Sequence, residues 1–289
     1  MVLQVHRYTA ADAYLATAGA FLVAREAEHN LILGLCTAIR RYPESFADEP
    51  PTFHAVTADG GRVVGAALRT PPNNLILSEA DDPAVAHALA DALADEPLPG
   101  VIGPKLVARQ FAERWEGVTG GRARHTVAER IFQLDHVVPP RRPASGTWRT
   151  ATPTDRHLVA EWVIAFLAEA LPSDPRPDDP LEVADRWIEG TSRTLYAWED
   201  EGVVVSTAGA AGETPNGIRI GAVYTPPERR RRGYATSLTA AVSQNQLDRG
   251  RRFCFLFTDL ANPTSNHIYQ EIGYRPVTDV DLYTFDVDA

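Results

Sequence analysis

Between Ile218 and Ala235 the chain changes its periodicity within a few residues, and this restricts the fold more tightly than any other stretch. Ile218, Ile220, Ala222 and Tyr224 alternate with Arg219, Gly221, Val223 and Thr225, the two-residue repeat of a strand, and Pro226-Pro227 stops it. Beyond Arg229–Arg232, residues Ala235, Leu238, Ala241 and Val242 recur at helical spacing, which predicts a helix with one apolar face against a sheet. A turn entering a helix presents unpaired N–H groups at the positive end of the helix dipole, so it attracts anions. Arg230 and its neighbours add positive charge, while Gly233 and Ala235 lack the bulk that would keep a diphosphate from the main chain. Pro226 and Pro227 carry no N–H, so the main-chain donors are assigned to Arg231, Arg232, Gly233, Tyr234 and Ala235.

A second block follows at the distance a strand–helix–strand crossover requires. Phe253-Cys254-Phe255-Leu256-Phe257 is an unbroken apolar run, as expected of a strand covered on both faces and parallel to its neighbour. Asn262-Pro263 then reads as a helix start, with Asn as cap and Pro in the first turn. The helix passes through Ser265 and Tyr269 and stops at Gly273. Two closing strands are predicted, Tyr274–Val277 and Leu282–Phe285.

Arg230-x-x-Gly233-x-Ala235 resembles the Q/R-x-x-G-x-G/A signature of the GNAT superfamily of acyl-CoA-dependent N-acyltransferases. Asn262, Ser265, Tyr269, Gly273 and Tyr274 likewise fall on that superfamily's N-x-x-A/S-x-x-x-Y-x-x-x-G-F/Y pattern. The resemblance implies an α/β GNAT fold, a mixed central sheet flanked by helices. It also implies that Arg230, Arg231, Arg232, Gly233, Tyr234 and Ala235 hold the diphosphate of acetyl-CoA or another acyl-CoA. Val223 and Tyr224 would offer strand backbone to the pantetheine amides, with Asn262 and Ser265 beside the same arm. Tyr269 would stand near the sulfur as general acid, since a departing thiolate benefits from a proton donor within hydrogen-bond reach. The implied reaction is direct transfer of an acetyl or other short acyl group to a primary amine, on a small molecule or a peptide. No covalent enzyme intermediate is expected, because neither Cys36 nor Cys254 sits in an activating motif. A non-catalytic acyl-CoA sensor and a protein-interaction module are the rival readings.

Residues 1–140 read as a degenerate copy of the same architecture. Apolar spacing from Tyr14 to Cys36 is helical with a break near His29-Asn30, and strands are predicted at Phe53–Val56, Gly61–Arg69 and Asn74–Ser78. A helix over Ala84–Leu93, a strand at Val101–Pro104 and a helix over Val107–Trp115 complete the alternation. Thr70-Pro71-Pro72 echoes Thr225-Pro226-Pro227, yet Glu79, Asp81 and Asp82 stand where the second copy has arginines, so this turn would repel a diphosphate. Val137–Gly146, rich in Pro, reads as the linker to a catalytic domain over 146–289. In that domain helices are predicted at Arg156–Ala170 and Leu181–Glu189, separated by a Pro-rich loop, and a hairpin at Leu195–Ala210. The resemblance puts the two helices beside the acceptor site.

The net charge of −10 opposes general binding to nucleic acid, a phosphate polymer. No apolar run reaches membrane length, no metal-ligand spacing occurs, and the N-terminus shows no signal-peptide pattern, so a cytoplasmic protein without a bound metal is expected. Two cysteines far apart in apolar surroundings read as buried thiols. Glu213 and Asp259 are the carboxylates placed to deprotonate an acceptor through water, although a solvated loop role is the simpler reading of both. Glu161, Glu169 and Asp174 would favour a cationic substrate, and His157 and His267 read as surface residues. Self-association as a homodimer is left open.

Overall fold

The computed structural model describes residues 2–46, 49–170, 177–189 and 193–286. Asp174 and most of the Pro-rich loop before residue 177 lie outside them. By its internal contacts the chain forms two compact units, Met1–Ile131 with Val277–Ala289, and Phe132–Pro276.

In the first unit, β1 (Gln4–Tyr8), β2 (Thr52–Thr57), β3 (Val63–Arg69) and β4 (Leu75–Leu77) pair antiparallel in that order, and β4 pairs parallel with β5 (Gly100–Pro104). One face of this sheet is covered by α1 (Ala11–Ala24) and α2 (Asn30–Arg41), where Tyr14, Leu22, Ile32 and Phe53 are buried together. The other carries α3 (Pro83–Ala92) and α4 (Lys105–Thr119), with Leu89, Phe111 and Trp115 in its core. The break predicted near His29 separates α1 from α2. Its imidazole is buried, with Nδ1 against the Leu22 carbonyl at 2.9 Å and Nε2 accepting from Glu79 N at 3.0 Å. Burial, which disfavours the charged form, lowers its pKa to about 4. After α4 comes β6 (Arg122–Leu134), a strand absent from the sequence reading; its last residues, Phe132–Leu134, belong to the second unit.

The second unit repeats the plan. Strands β7 (Thr147–Thr150), β8 (Arg193–Asp200), β9 (Val203–Ala211) and β10 (Gly217–Tyr224) pair antiparallel, and β10 pairs parallel with β11 (Phe253–Asp259). Helices α5 (Arg156–Ala170) and α6 (Pro180–Ile188) pack on one face through Val159, Ala160, Ala184 and Leu195. On the other face, α7 (Tyr234–Asp248) and α8 (Pro263–Glu271) close a larger core that includes Tyr196, Leu238, Leu256 and Tyr269. The Pro-rich stretch from Val137 is packed within this unit: Val138 N bonds Ile272 O at 2.9 Å and the Trp198 indole donates to Ser145 O at 2.7 Å.

The closing segment corrects the sequence reading. Residues 275–286 form one strand, β12 (Arg275–Asp286), where two were predicted, and from Val277 onward it belongs to the first unit. It pairs antiparallel with β5, Val280 opposite Pro104 through Thr284 opposite Gly100. Phe285 stacks on Trp115 at 4.0 Å between ring centroids. The compact units therefore depart from a linear division at the Pro-rich stretch, because the last strand of the second copy completes the sheet of the first.

Candidate functional site

The paired strands of the second unit separate where the sequence changes periodicity. β10 is in register with β11 only from Gly217 to Arg219, although both strands continue, so they diverge beyond that point. On its other edge the register with β9 shifts between Gly221 and Tyr224. Within this bulge Ala222 has φ +48°, a left-handed conformation costing an L-residue about 1 kcal/mol. Ala222 and Val223 thus have no register partner on either neighbouring strand, which is where an extended ligand could pair with strand backbone. Gly221 adds open space: a Cβ built there meets nothing within 4 Å. Tyr224 rejoins β9 opposite Thr207, its carbonyl accepting from the Ser206 hydroxyl at 3.0 Å.

The turn after β10 supplies donors. Arg231 and Gly233 both have left-handed φ, +63° and +82°, and the first helical bond of α7 runs from Ser237 N to Gly233 O. From Arg231 to Thr236 no N–H finds an acceptor among the described residues, so six consecutive amides are open at the positive end of α7. Tyr234 turns its ring into the core, and its hydroxyl donates to Asp200, which also accepts from Ser145. Those bonds, Tyr234 first, hold the Asp200 carboxyl below its ordinary pKa. The Pro-rich stretch lines the turn: the Arg142 carbonyl lies 3.6 Å from where a Gly233 Cβ would be, and Ala144 N bonds Ser237 Oγ at 2.9 Å.

Arg230 is engaged elsewhere. Its Nε donates to the Thr225 carbonyl at 2.8 Å, and one terminal nitrogen donates to both Glu169 oxygens at 2.9 and 2.7 Å. Here Arg230 ties the turn to the end of α5, and Glu169 serves that tie. The exposed Arg231 and Arg232 carry the charge left for an anion, with no carboxylate partner among the described residues. The corresponding turn of the first unit is closed by its own acid. Asp82 caps α3 and accepts from Ala84 N at 2.9 Å, while Asp81 pairs with Arg25.

At the far side of the cleft α8 begins with Asn262, whose Oδ1 accepts from Ser265 N at 3.1 Å; both predicted residues thus build the cap. One turn on, Tyr269 is buried edge-on to Tyr274, with ring centroids 6.1 Å apart. Its hydroxyl has no hydrogen-bond partner among the described residues, and burial pushes its pKa up to about 12. It is therefore a proton-bearing donor throughout the neutral range. The two thiols are buried as predicted, each pushed up to about 12 by burial.

Opposite α7, a cavity of about 20 Å³ opens beside Ala222 and Tyr224, room for about one water-sized group. Its walls are Val159, Trp162 and Phe166 of α5 and Trp187 of α6. The helical spacing of the α5 residues was readable in sequence, but their convergence with Trp187 on the bulge was not. Trp187 fits because Gly209 beneath it has no side chain: a Cβ there would lie 2.4 Å from the indole. The carboxylates considered as bases serve other contacts. Glu213 pairs with Arg251, and Asp259 accepts from Ala261 N at 2.7 Å. Glu161, His157 and His267 are exposed.

Among the described residues no group of three or more His, Cys, Asp or Glu could hold a metal ion, and no helix is long and apolar enough to cross a membrane. Residues 204–282 match the family described as FR47-like protein. No curated protein sequence matches the chain. Among solved structures it is similar to a Drosophila melanogaster protein, with a TM-score of 0.67 at 14% identity, covering 97% of this chain and 98% of that one. A tandem GNAT protein from the clavulanic acid biosynthesis pathway gives 0.57 at 14% identity with 98% of each chain covered. A GCN5-related N-acetyltransferase from Sphaerobacter thermophilus gives 0.56 at 18%, covering 97% of this chain and 94% of its own. These are likenesses of fold, and the chain has the tandem GNAT fold.

Proposed function

We propose that the second unit is an acyl-CoA-dependent N-acyltransferase that transfers an acetyl or other short acyl group to a primary amine. The observation that carries this reading is the run of six unpaired N–H groups from Arg231 to Thr236, set at the end of a strand that has parted from its neighbour. A diphosphate answers the first feature; an extended amide-bearing arm answers the second by pairing with Ala222 and Val223. Arg231 and Arg232 supply screening charge, and Asn262 and Ser265 border the arm from α8. A thioester at the end of that arm offers its carbonyl carbon to an uncharged amine. The N–C bond forms, the C–S bond breaks, and the nitrogen's extra proton leaves to solvent.

Tyr269 acts on the departing sulfur. With the phenol near pKa 12 and an ordinary thiol near 8.5, full proton transfer is uphill by about 5 kcal/mol. Tyr269 therefore stabilises the thiolate as a hydrogen-bond donor, and the thiolate takes its proton later from water. The chain's own thiols stay out of the chemistry, being buried and protonated. The first unit, its turn closed by Asp82, is assigned no CoA.

Calorimetry with CoA tests the binding half, and free-thiol release from acetyl-CoA over a panel of amines, amino acids and peptides tests the chemistry. We expect heat with CoA and turnover with part of the panel. Absence of CoA heat would overturn the reading outright, and heat with a silent panel would favour an acyl-CoA sensor.

A further inference from the structure

Beside Trp187, a wall of the cavity at the bulge, stands an arginine without an acceptor among the described residues. Arg193 opens β8, and its guanidinium carbon lies 5.0 Å from the centroid of the Trp187 ring. It makes no ion pair or hydrogen bond among the described residues, whereas the nearby Arg186 is paired with Glu182. The site is also partly stripped of water. Burial, and then the cation of Arg186, lower the pKa of Arg193 from its ordinary value. A partly desolvated guanidinium whose N–H donors meet no acceptor among the described residues is costly unless an acceptor arrives, and its planar fork fits a carboxylate on two bonds.

Its place in the sheet says what the acceptor belongs to. Arg193 and Arg219 both stand opposite Ala211, so the two cations rise from one row and one face. Leu195, Gly209 and Gly221 form the next row on that face. Across it, Trp187 lies over Gly209, Gly221 is open, and the bulge at Ala222 follows. From β8 to β10 is about 10 Å at ordinary strand spacing. A group seated on Arg193 therefore lies one apolar step, the Trp187 ring, from the point where an amine would meet a thioester.

We infer that the acceptor is an amine that also carries a carboxylate, separated from the nitrogen by an apolar spacer, and that Arg193 binds this carboxylate. This rests on the acyltransferase reading. It also reverses the expectation that acidic residues draw a cationic substrate: Glu169 is consumed by Arg230, and the charge over the Trp187 ring is the Arg193 guanidinium.

The test is calorimetric and needs no turnover. The full chain is first titrated with CoA; absence of heat there sinks the acyltransferase reading itself. The CoA-loaded protein is then titrated with two matched pairs, 6-aminohexanoate against hexylamine and phenylalanine against phenethylamine. In at least one pair the carboxylate member is expected to bind about tenfold more tightly. Arg193→Gln should bring that pair within about twofold, and Arg193→Lys should keep part of the preference, both with CoA heat unchanged as proof of folding. The inference is overturned if the plain amines bind as well as their partners, if the preference survives Arg193→Gln, or if none of the four binds.

Discussion

Gly233→Asp separates what the turn contributes to folding from what it contributes to anion binding. Gly233 has φ +82°, and there is room for a Cβ, the nearest atom being the Arg142 carbonyl at 3.6 Å. Both Gly233→Ala and Gly233→Asp therefore meet left-handed strain of about 1 kcal/mol without a clash, a loss of roughly 2–4 °C in Tm. The strain is present with and without ligand and cancels from the affinity, so Gly233→Ala should bind CoA within a few-fold of wild type. The carboxylate of Gly233→Asp does not cancel. A unit charge about 6 Å from a doubly charged diphosphate, at an effective dielectric of about 40, costs roughly 3 kcal/mol, close to a hundredfold in Kd. The aspartate can also turn onto the free amides of α7, as Asp82 does at α3. Calorimetry at 0.1 M and 1 M salt reads the effect, and the penalty should shrink at 1 M, where the Debye length falls to about 3 Å. If Gly233→Asp binds CoA within threefold of wild type at low salt, the turn does not hold the diphosphate.

Tyr269→Phe should lower kcat by about ten- to a hundredfold with CoA affinity unchanged, as for loss of one hydrogen bond made in the transition state; stopped-assay thiol release measures it, and an unchanged kcat would remove Tyr269 from the chemistry. Because its folded pKa of about 12 exceeds the ordinary value of 10.0, folding favours the protonated phenol, so its contribution to stability is complete below pH 10 and is lost as pH rises from 10 toward 12. Ala222→Gly should raise stability by up to about 1 kcal/mol by relieving left-handed strain, read by denaturant midpoint; a loss would mean that the bulge is held by the alanine methyl. His29 and His54 are both buried, with pKa lowered to about 4, so the unfolded chain gains protons first and stability falls as pH drops from 6.5 toward 4. Each group's share at pH 5 is about 2 kcal/mol, and His54→Leu should flatten the acid side of the stability profile.

What the residues disclosed in advance were features whose cause is local. Pro226-Pro227 ends β10 through its own ring chemistry, Asn262 caps α8 through its own amide, and the break at His29 divides α1 from α2. The phosphate turn was legible because small residues, a strand end and a helix start must be contiguous to make it. What stayed hidden depends on partners distant in sequence. Strand β6 alternates charged residues such as Arg130, whose partner Asp279 lies 149 positions away, and this pair holds it at 2.6 and 3.0 Å. Asp279 and Asp281 make residues 275–286 read as two short strands with a polar gap, yet Arg130 and His125 supply partners that let one strand run through. Arg230 matched its motif position, but Glu169, 61 residues upstream, takes its guanidinium. Trp187 became a wall of the cavity only because Gly209, on another element, has no side chain.

The place of β12 also has a consequence for how the polypeptide matures. Its Phe285 stacks on Trp115 and its backbone completes the register of β5, so the amino-terminal copy lacks that edge until β12 has been synthesised. Synthesis from the amino end cannot finish one copy and then begin the other. Docking of β12 is the event that lets the earlier copy close, and cutting the gene at its proline-rich middle would yield a piece with an open, hydrogen-bonding strand rather than an independent domain.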